Sequence, residues 1–294
     1  MSFTERAGHG METVRAAIKP GGPARRGLSE ARYRAAVTAR RVGAAERALP
    51  SFLIIGTQKG GTTSLHAYLA QHPDVGEPVI KEIQYFSLNY PRGEGWYRTH
   101  FPVAGRGRVT FEATPYYLFH PGVPRRAAET IPDAKLISLL RDPVGRAHSH
   151  HNHQVDMGFE PLDFETAIAR EPERLAGEEE RMAADPRYRS FAHQHFSYVS
   201  RGRYAEQLER WYAHFPAEQI LVMPSEDLFA DPAATLHRVQ DWLGLSRHTP
   251  ETLSARGARR YSSMETALRD ELRGHFAADS ARLEGLTGVR LPWV

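Results

Sequence analysis

The stretch from Ser51 to Leu65 constrains this chain more than any other. Its first half, Phe52-Leu53-Ile54-Ile55, is a short apolar run with two β-branched residues, closed by Gly56. That pattern predicts a buried strand. The second half, Thr57-Gln58-Lys59-Gly60-Gly61-Thr62-Thr63-Ser64, turns on two glycines and enters a helix through three hydroxyl residues. A strand, a glycine turn and a helix N-terminus gather backbone N–H groups at one point, and the helix dipole adds positive potential there. Lys59 contributes a mobile charge, and Thr62, Thr63 and Ser64 contribute hydroxyl donors. The stretch is built to hold a phosphate-like anion.

The spacing narrows which anion. A Walker A loop needs Gly-x-x-x-x-Gly-Lys-Ser/Thr. Counting from Gly56 places the second glycine at Gly61, but Thr62 stands where the lysine belongs, and the only lysine is Lys59, inside the turn. The loop is therefore a relative of the ATPase loop with a different lysine. A glycine turn that carries a lysine by chance is the alternative reading of this stretch alone.

A second strand-to-helix junction lies downstream. Residues 135–140 form an apolar strand that runs into Arg141-Asp142-Pro143. Asp142 is suited to cap a helix and Pro143 to occupy its first turn. On that helix Arg146, Ser149 and His153 fall at i, i+3 and i+7 and share one face. Further strands are expected over 108–113 and 219–223, and helices over 62–72, 231–243 and 265–285. The aromatic stretch 89–101 suits a lid, an acceptor wall or plain core packing. The run Glu178-Glu179-Glu180 reads as a solvated face.

Gln58-Lys59-Gly60-Gly61-Thr62-Thr63-Ser64 after an apolar strand resembles the phosphosulfate loop of sulfotransferases that use 3′-phosphoadenosine 5′-phosphosulfate (PAPS). Over 52–73 the chain looks most like the sulfotransferase domain of the heparan sulfate N-deacetylase/N-sulfotransferase group and its bacterial relatives, and the resemblance extends from about Ser51 to Trp293. It implies an α/β fold: a central, mostly parallel sheet flanked by helices, with a P-loop-like site. It also implies that Lys59, Gly60, Gly61, Thr62, Thr63 and Ser64 bind the 5′-phosphosulfate. Arg141 and Ser149 match the two positions that hold the 3′-phosphate, and Tyr204 matches a residue at the nucleotide side of the cleft. Arg256, Gly257, Arg259 and Arg260 resemble the loop that closes over that phosphate. Arginines replace lysine there and the spacing differs by one residue, which leaves open which arginine makes the contact.

Glu82, in Lys81-Glu82-Ile83-Gln84, matches the acidic residue beside the acceptor, and a carboxylate can take the proton an attacking hydroxyl or amine must lose. An ordinary surface glutamate is the alternative. His153 matches a histidine near the transferred group. Ala113 stands where the glycosaminoglycan enzymes carry a lysine, which weakens glycosaminoglycan specificity. The reading is a PAPS-dependent sulfotransferase acting on a hydroxyl or amine of a saccharide or small molecule, without a metal.

Two other functions compete. A Mg-dependent kinase or nucleoside triphosphatase is suggested by Asp142 after an apolar strand, and opposed by the missing Walker lysine. A non-catalytic nucleotide- or glycan-binding module should have lost Lys59 or Glu82, and both are present. The histidines at 148, 150, 151 and 153 lack the acid–histidine spacing of a closed metal site.

Composition sets the remaining bounds. The chain has 294 residues, 41% of them hydrophobic, enough for one large domain over 51–294. Residues 1–50 carry ten Lys/Arg against four Asp/Glu and read as a basic arm or surface helix. They lack the aromatic interleaving and apolar face of a nucleic-acid or membrane binder. There are no cysteines, which suits a reducing cytoplasm. The oligomeric state is not readable from the sequence.

Overall fold

The computed structural model describes residues 33, 35, 37–40, 46–104, 108–254 and 264–294. Its centre is a five-stranded sheet in the order β2-β3-β1-β4-β5, with every pairing parallel. The strands are β1 (Phe52–Gly56), β2 (Val75–Gly76), β3 (Val109–Ala113), β4 (Lys135–Leu140) and β5 (Ile220–Pro224). β1 lies between β3 and β4, with Phe52 opposite Phe111 on one side and Ile54 opposite Ile137 on the other.

Parallel strands need crossovers, and these cover both faces, so β1 is an unbroken apolar run, while β3 and β4 bury Glu112 and Ser138 among apolar residues. Among the described residues, the helices of eight or more residues are α1 (Thr62–Leu69), α2 (Val123–Thr130), α3 (Pro143–Asp156), α4 (Tyr204–Tyr212), α5 (Pro232–Leu243) and α6 (Thr266–Thr287). Phe52 and Ile54 of β1 pack with Ile137 and Leu139 of β4 against Leu65 of α1 and Leu236 of α5. Leu53 and Ile55 point the other way, into a core with Leu136, Ala127, Trp211 and Leu283. The period-two alternation of strand side chains thus divides one apolar run between two cores.

From β1 the chain passes first to β2 and β3 on one side, then to β4 and β5 on the other. β1 is therefore the switch point of the sheet, where a crevice opens at the carboxyl ends of neighbouring strands. Both anion-binding junctions read from the sequence emerge at that edge, one from β1 and one from β4.

Several expectations shift. The first helix ends at Leu69 rather than His72. There the His72 ring bonds the Ser246 carbonyl and accepts from the Asp74 amide, which turns the chain. The aromatic stretch is core: Trp96, Tyr97 and Phe101 are buried in the larger cluster. Of the N-terminal residues, Tyr33 reaches His100 (2.9 Å) and Arg47 donates to the Phe101 carbonyl (3.1 Å), so this part lies against the same aromatic segment.

Candidate active site

The turn after β1 is pressed against β4. Thr57 donates its amide to the Leu139 carbonyl (2.7 Å), and Gly60 donates back to Thr57 (3.0 Å). A Cβ on Gly60 would come within 2.7 Å of that same Leu139 oxygen and 2.9 Å of Ser225 Oγ, so only glycine fits. Ser225 fixes the turn from outside by donating its hydroxyl to the Gly60 carbonyl (2.8 Å). Gly61 takes φ +88°, where a side chain is disfavoured, and starts α1 without any side-chain cap. The first-turn amides of α1 are thus not used by a capping side chain, and they carry the positive end of the helix dipole. Thr62 and Ser64 are buried beside them, and Thr63 is exposed.

The second junction is tied to the first. Arg141 follows β4 directly and donates from Nη1 to the Lys59 carbonyl (3.1 Å). Asp142 caps α3 as expected, accepting from the Val144 amide (3.1 Å) and the Gly145 amide (3.2 Å), with Pro143 in the first turn. One carboxylate oxygen serves each amide, as a helix cap requires. On α3, Ser149 is buried and His153 half-buried. Arg146 is wholly buried and donates to the Tyr198 carbonyl. Tyr204 is also buried, and its hydroxyl donates to the Arg141 carbonyl (2.9 Å), which puts it behind Arg141 as a backbone support.

Glu82 lies in the segment between β2 and β3. It is exposed and pairs with Lys81 at 2.6 Å. Gln84, two residues on, donates its amide to Glu112 of β3 (3.0 Å), which brings this segment to the sheet beside β1. Among the described residues, non-glycine backbones with positive φ occur at Lys59 (73°), Glu82 (61°) and Gln84 (55°). Such geometry costs a non-glycine residue of order 1–2 kcal/mol and gathers where function needs it. Two of the three residues are those expected to carry chemistry.

Some residues of the site have no sequence signal. Arg201 is fully buried, donates to the Gln58 side chain inside the glycine turn, and also donates to the His193 and Gln194 carbonyls (both 3.0 Å). Its guanidinium lies over Tyr116 and Phe119, and burial pushes its pKa down to about 9. Phe229, half-exposed, borders the turn: its ring would meet a Cβ on Gly61 at 3.0 Å and lies 5.9 Å from the Arg141 guanidinium.

Glu179 and Glu180 of the acidic run are exposed, as expected of a solvated face, but Glu178 is not. Glu178 is buried and accepts from the Tyr188 hydroxyl (2.8 Å), while Glu179 faces His193 at 3.5 Å. Of the histidines on α3, His150 is buried against Tyr198 and His151 bonds the Leu162 carbonyl. No group of three or more His, Asp or Glu residues suited to a metal occurs among the described residues. Arg256, Gly257, Arg259 and Arg260 lie outside the described residues.

A parallel sheet whose strand order switches at β1, with a glycine turn and an arginine at adjacent strand ends, defines a P-loop-like α/β protein. The chain belongs to the sulfotransferase family: the model of the sulfotransferase domain matches residues 49–265. It is 38% identical over 205 residues to heparan sulfate glucosamine 3-O-sulfotransferase 3B1 of Mus musculus, covering 70% of this chain and 48% of that protein. It is 33% identical over 214 residues to the bifunctional heparan sulfate N-deacetylase/N-sulfotransferase 3 of Homo sapiens, covering 68% of this chain and 23% of that one. The chain thus spans about half the length of the former relative and a quarter of the latter. A solved sulfotransferase from Alicyclobacillus acidocaldarius superposes with a TM-score of 0.69 at 34% identity, covering 84% of this chain and 99% of that one.

Proposed function

We propose that this protein transfers a sulfuryl group from PAPS directly to a hydroxyl or amine of a saccharide acceptor. The observation that carries the reading is the bond from Arg141 to the Lys59 carbonyl, which joins two anion-binding junctions at neighbouring strand ends. PAPS has anionic groups at both ends of its nucleoside, and two linked cradles suit it better than a single phosphate.

The residues fit that co-substrate. Gly60 and Gly61 let the turn close tightly where a side chain would clash, and such a turn offers backbone amides to an anion. Thr62, Thr63 and Ser64 offer hydroxyls at the 5′-phosphosulfate, and Arg141 with Ser149 offers charge and a hydroxyl to the 3′-phosphate. Arg256, Gly257, Arg259 and Arg260 would complete that side, and the exposed ring of Phe229 suits the flat base. PAPS supplies the sulfuryl group and a phosphate leaving group. As the acceptor bond to sulfur forms and the sulfur–phosphate oxygen bond breaks, Lys59 faces the charge left on the phosphate. One well-placed donor of this kind is worth ~3–4 kcal/mol. Glu82 takes the acceptor proton, and His153 lies on the α3 face near the transferred group.

The names of the relatives support a saccharide acceptor, while Ala113 leaves the site without the lysine of the glycosaminoglycan enzymes. From the cysteine-free composition we place the reaction in a reducing cytoplasm. The test is to incubate the protein with labelled PAPS and a pooled saccharide library, and to measure adenosine 3′,5′-bisphosphate binding by calorimetry. Labelled saccharide with nucleotide binding supports the reading; no measurable nucleotide binding overturns it.

A further inference from the structure

Glu112 is a carboxylate inside the core. It sits on β3 with no exposed surface, surrounded by neutral donors. One oxygen accepts from the Gln84 amide (3.0 Å), the Thr114 hydroxyl (2.6 Å) and the Tyr117 hydroxyl (2.8 Å). The other accepts from the Tyr97 hydroxyl (2.6 Å). Tyr97, Thr114 and Tyr117 are themselves fully buried. Burial pushes the Glu112 pKa up, and these four donors pull it back. Burying an acid with no cation beside it costs several kcal/mol, and a core that needed only packing would be served by an apolar side chain.

The bonds explain what the acid is for. Gln84 and Glu82 both hold left-handed backbone, a geometry that persists only where its surroundings over-determine it. Glu112 holds the Gln84 amide, and its partner Tyr117 accepts the Phe86 amide (3.2 Å). Asn89 closes the same turn by donating to the Ile83 carbonyl (2.9 Å). The Glu82 side chain itself is 41% exposed and pairs with the neighbouring Lys81. Its direction is set by its backbone.

We infer that Glu112 is the positioning residue for Glu82: from inside the sheet it locks the left-handed turn that aims the Glu82 carboxylate at the acceptor. The inference rests on Glu82 being the proton acceptor. Glu112 never meets substrate and takes no proton in the reaction.

The experiment compares Glu112→Leu, Glu112→Gln and Glu82→Gln for turnover with PAPS and an acceptor found by the library screen, together with adenosine 3′,5′-bisphosphate affinity and amide exchange at Gln84. Glu112→Leu should lower kcat by about 100-fold, the cost of a misplaced reacting group. It should speed Gln84 exchange and leave nucleotide affinity within about twofold, because the cradle lies on other strand ends. Glu112→Gln, which keeps an acceptor for the Gln84 amide, should recover most of the loss. Wild-type kcat in Glu112→Leu, equal loss of nucleotide affinity, or no recovery in Glu112→Gln overturns the inference. Should Glu112→Leu not fold, Tyr97→Phe removes one bond to the carboxylate and keeps the ring. It should then lower kcat severalfold at unchanged nucleotide affinity, and an unchanged kcat overturns the inference. Full activity in Glu82→Gln would instead remove the proton-acceptor reading, and the inference with it; inactive Glu82→Gln beside active Glu112→Leu would sink the inference alone.

Discussion

Arg141 donates from its guanidinium to the backbone carbonyl of Lys59 across 3.1 Å, joining residues 82 positions apart. The bond fastens the end of β4 to the turn after β1, which ties the two strand-to-helix junctions together. Tyr204 holds the Arg141 carbonyl from behind and Ser225 holds the Gly60 carbonyl from outside. The cradle is thus rigid before any ligand arrives, which lowers the ordering cost of binding.

Arg141 and Lys59 should separate binding from transfer. Arg141→Ala removes a charge-assisted donor worth ~1.5–3 kcal/mol and should weaken adenosine 3′,5′-bisphosphate binding by about ten- to a hundredfold in calorimetry. Lys59→Ala should cut turnover by roughly 10²–10³-fold while sparing much of that affinity, because its charge is needed as the leaving group develops. Unchanged turnover in Lys59→Ala would remove the assigned role.

Gly60→Ala tests the close approach to β4. Its methyl would lie 2.7 Å from the Leu139 oxygen, which belongs to the strand backbone and cannot move aside. A destabilisation of ~1–3 kcal/mol is expected, read from the midpoint of urea unfolding, with loss of nucleotide binding. A variant of wild-type stability and affinity would show that the turn is not packed as described.

Asp142 distinguishes a cap from a metal ligand. Asp142→Ala should lose ~1 kcal/mol of stability, while Asp142→Asn, as good a cap, should retain both stability and transfer. EDTA should leave transfer unchanged. Loss of activity in Asp142→Asn together with EDTA sensitivity would favour the magnesium-dependent alternative.

Acid stability should depend on Glu160. Burial opposes its charge, but Arg174 (2.5 Å), the Tyr198 hydroxyl (2.8 Å) and the Leu162 amide (3.1 Å) outweigh burial and hold its pKa below the ordinary glutamate value. A depressed folded pKa means that the stabilisation is fully present above the unfolded pKa and is lost as pH falls through the folded one. Thermal melts at falling pH, from about 5 downward, should show that loss in the wild type. Glu160→Gln should be less stable at pH 7 and flatter below it; parallel curves for the two proteins would contradict the assignment.

β1 and β4 were legible because a strand covered on both faces is mostly apolar, and the 135–140 run matches β4 residue for residue. β5 lies one residue later than expected, and β2, only two residues long, gave no signal. The glycine turn was legible because its geometry leaves room for nothing larger at Gly60. The left-handed backbone of Lys59, Glu82 and Gln84 was not, since none of these residues is a type that favours it. Within the acidic run only Glu178 departs from expectation, for a related reason: whether it meets water depends on Tyr188 and Arg181 folding back onto it.

The sequence by itself determined strands β1, β3, β4 and β5 to within a residue or so, the strand-to-helix junctions after β1 and β4, and the residues able to cap and turn there. Each follows from local rules of periodicity, capping and glycine conformation acting within a few positions. The tertiary structure alone decided that Arg141 reaches Lys59, that Arg201 enters the glycine turn through Gln58, and that Glu112 holds the segment bearing Glu82. Those pairs lie 28 to 143 positions apart along the chain. Distances of that kind are set by the stacking order of strands, which no local pattern encodes.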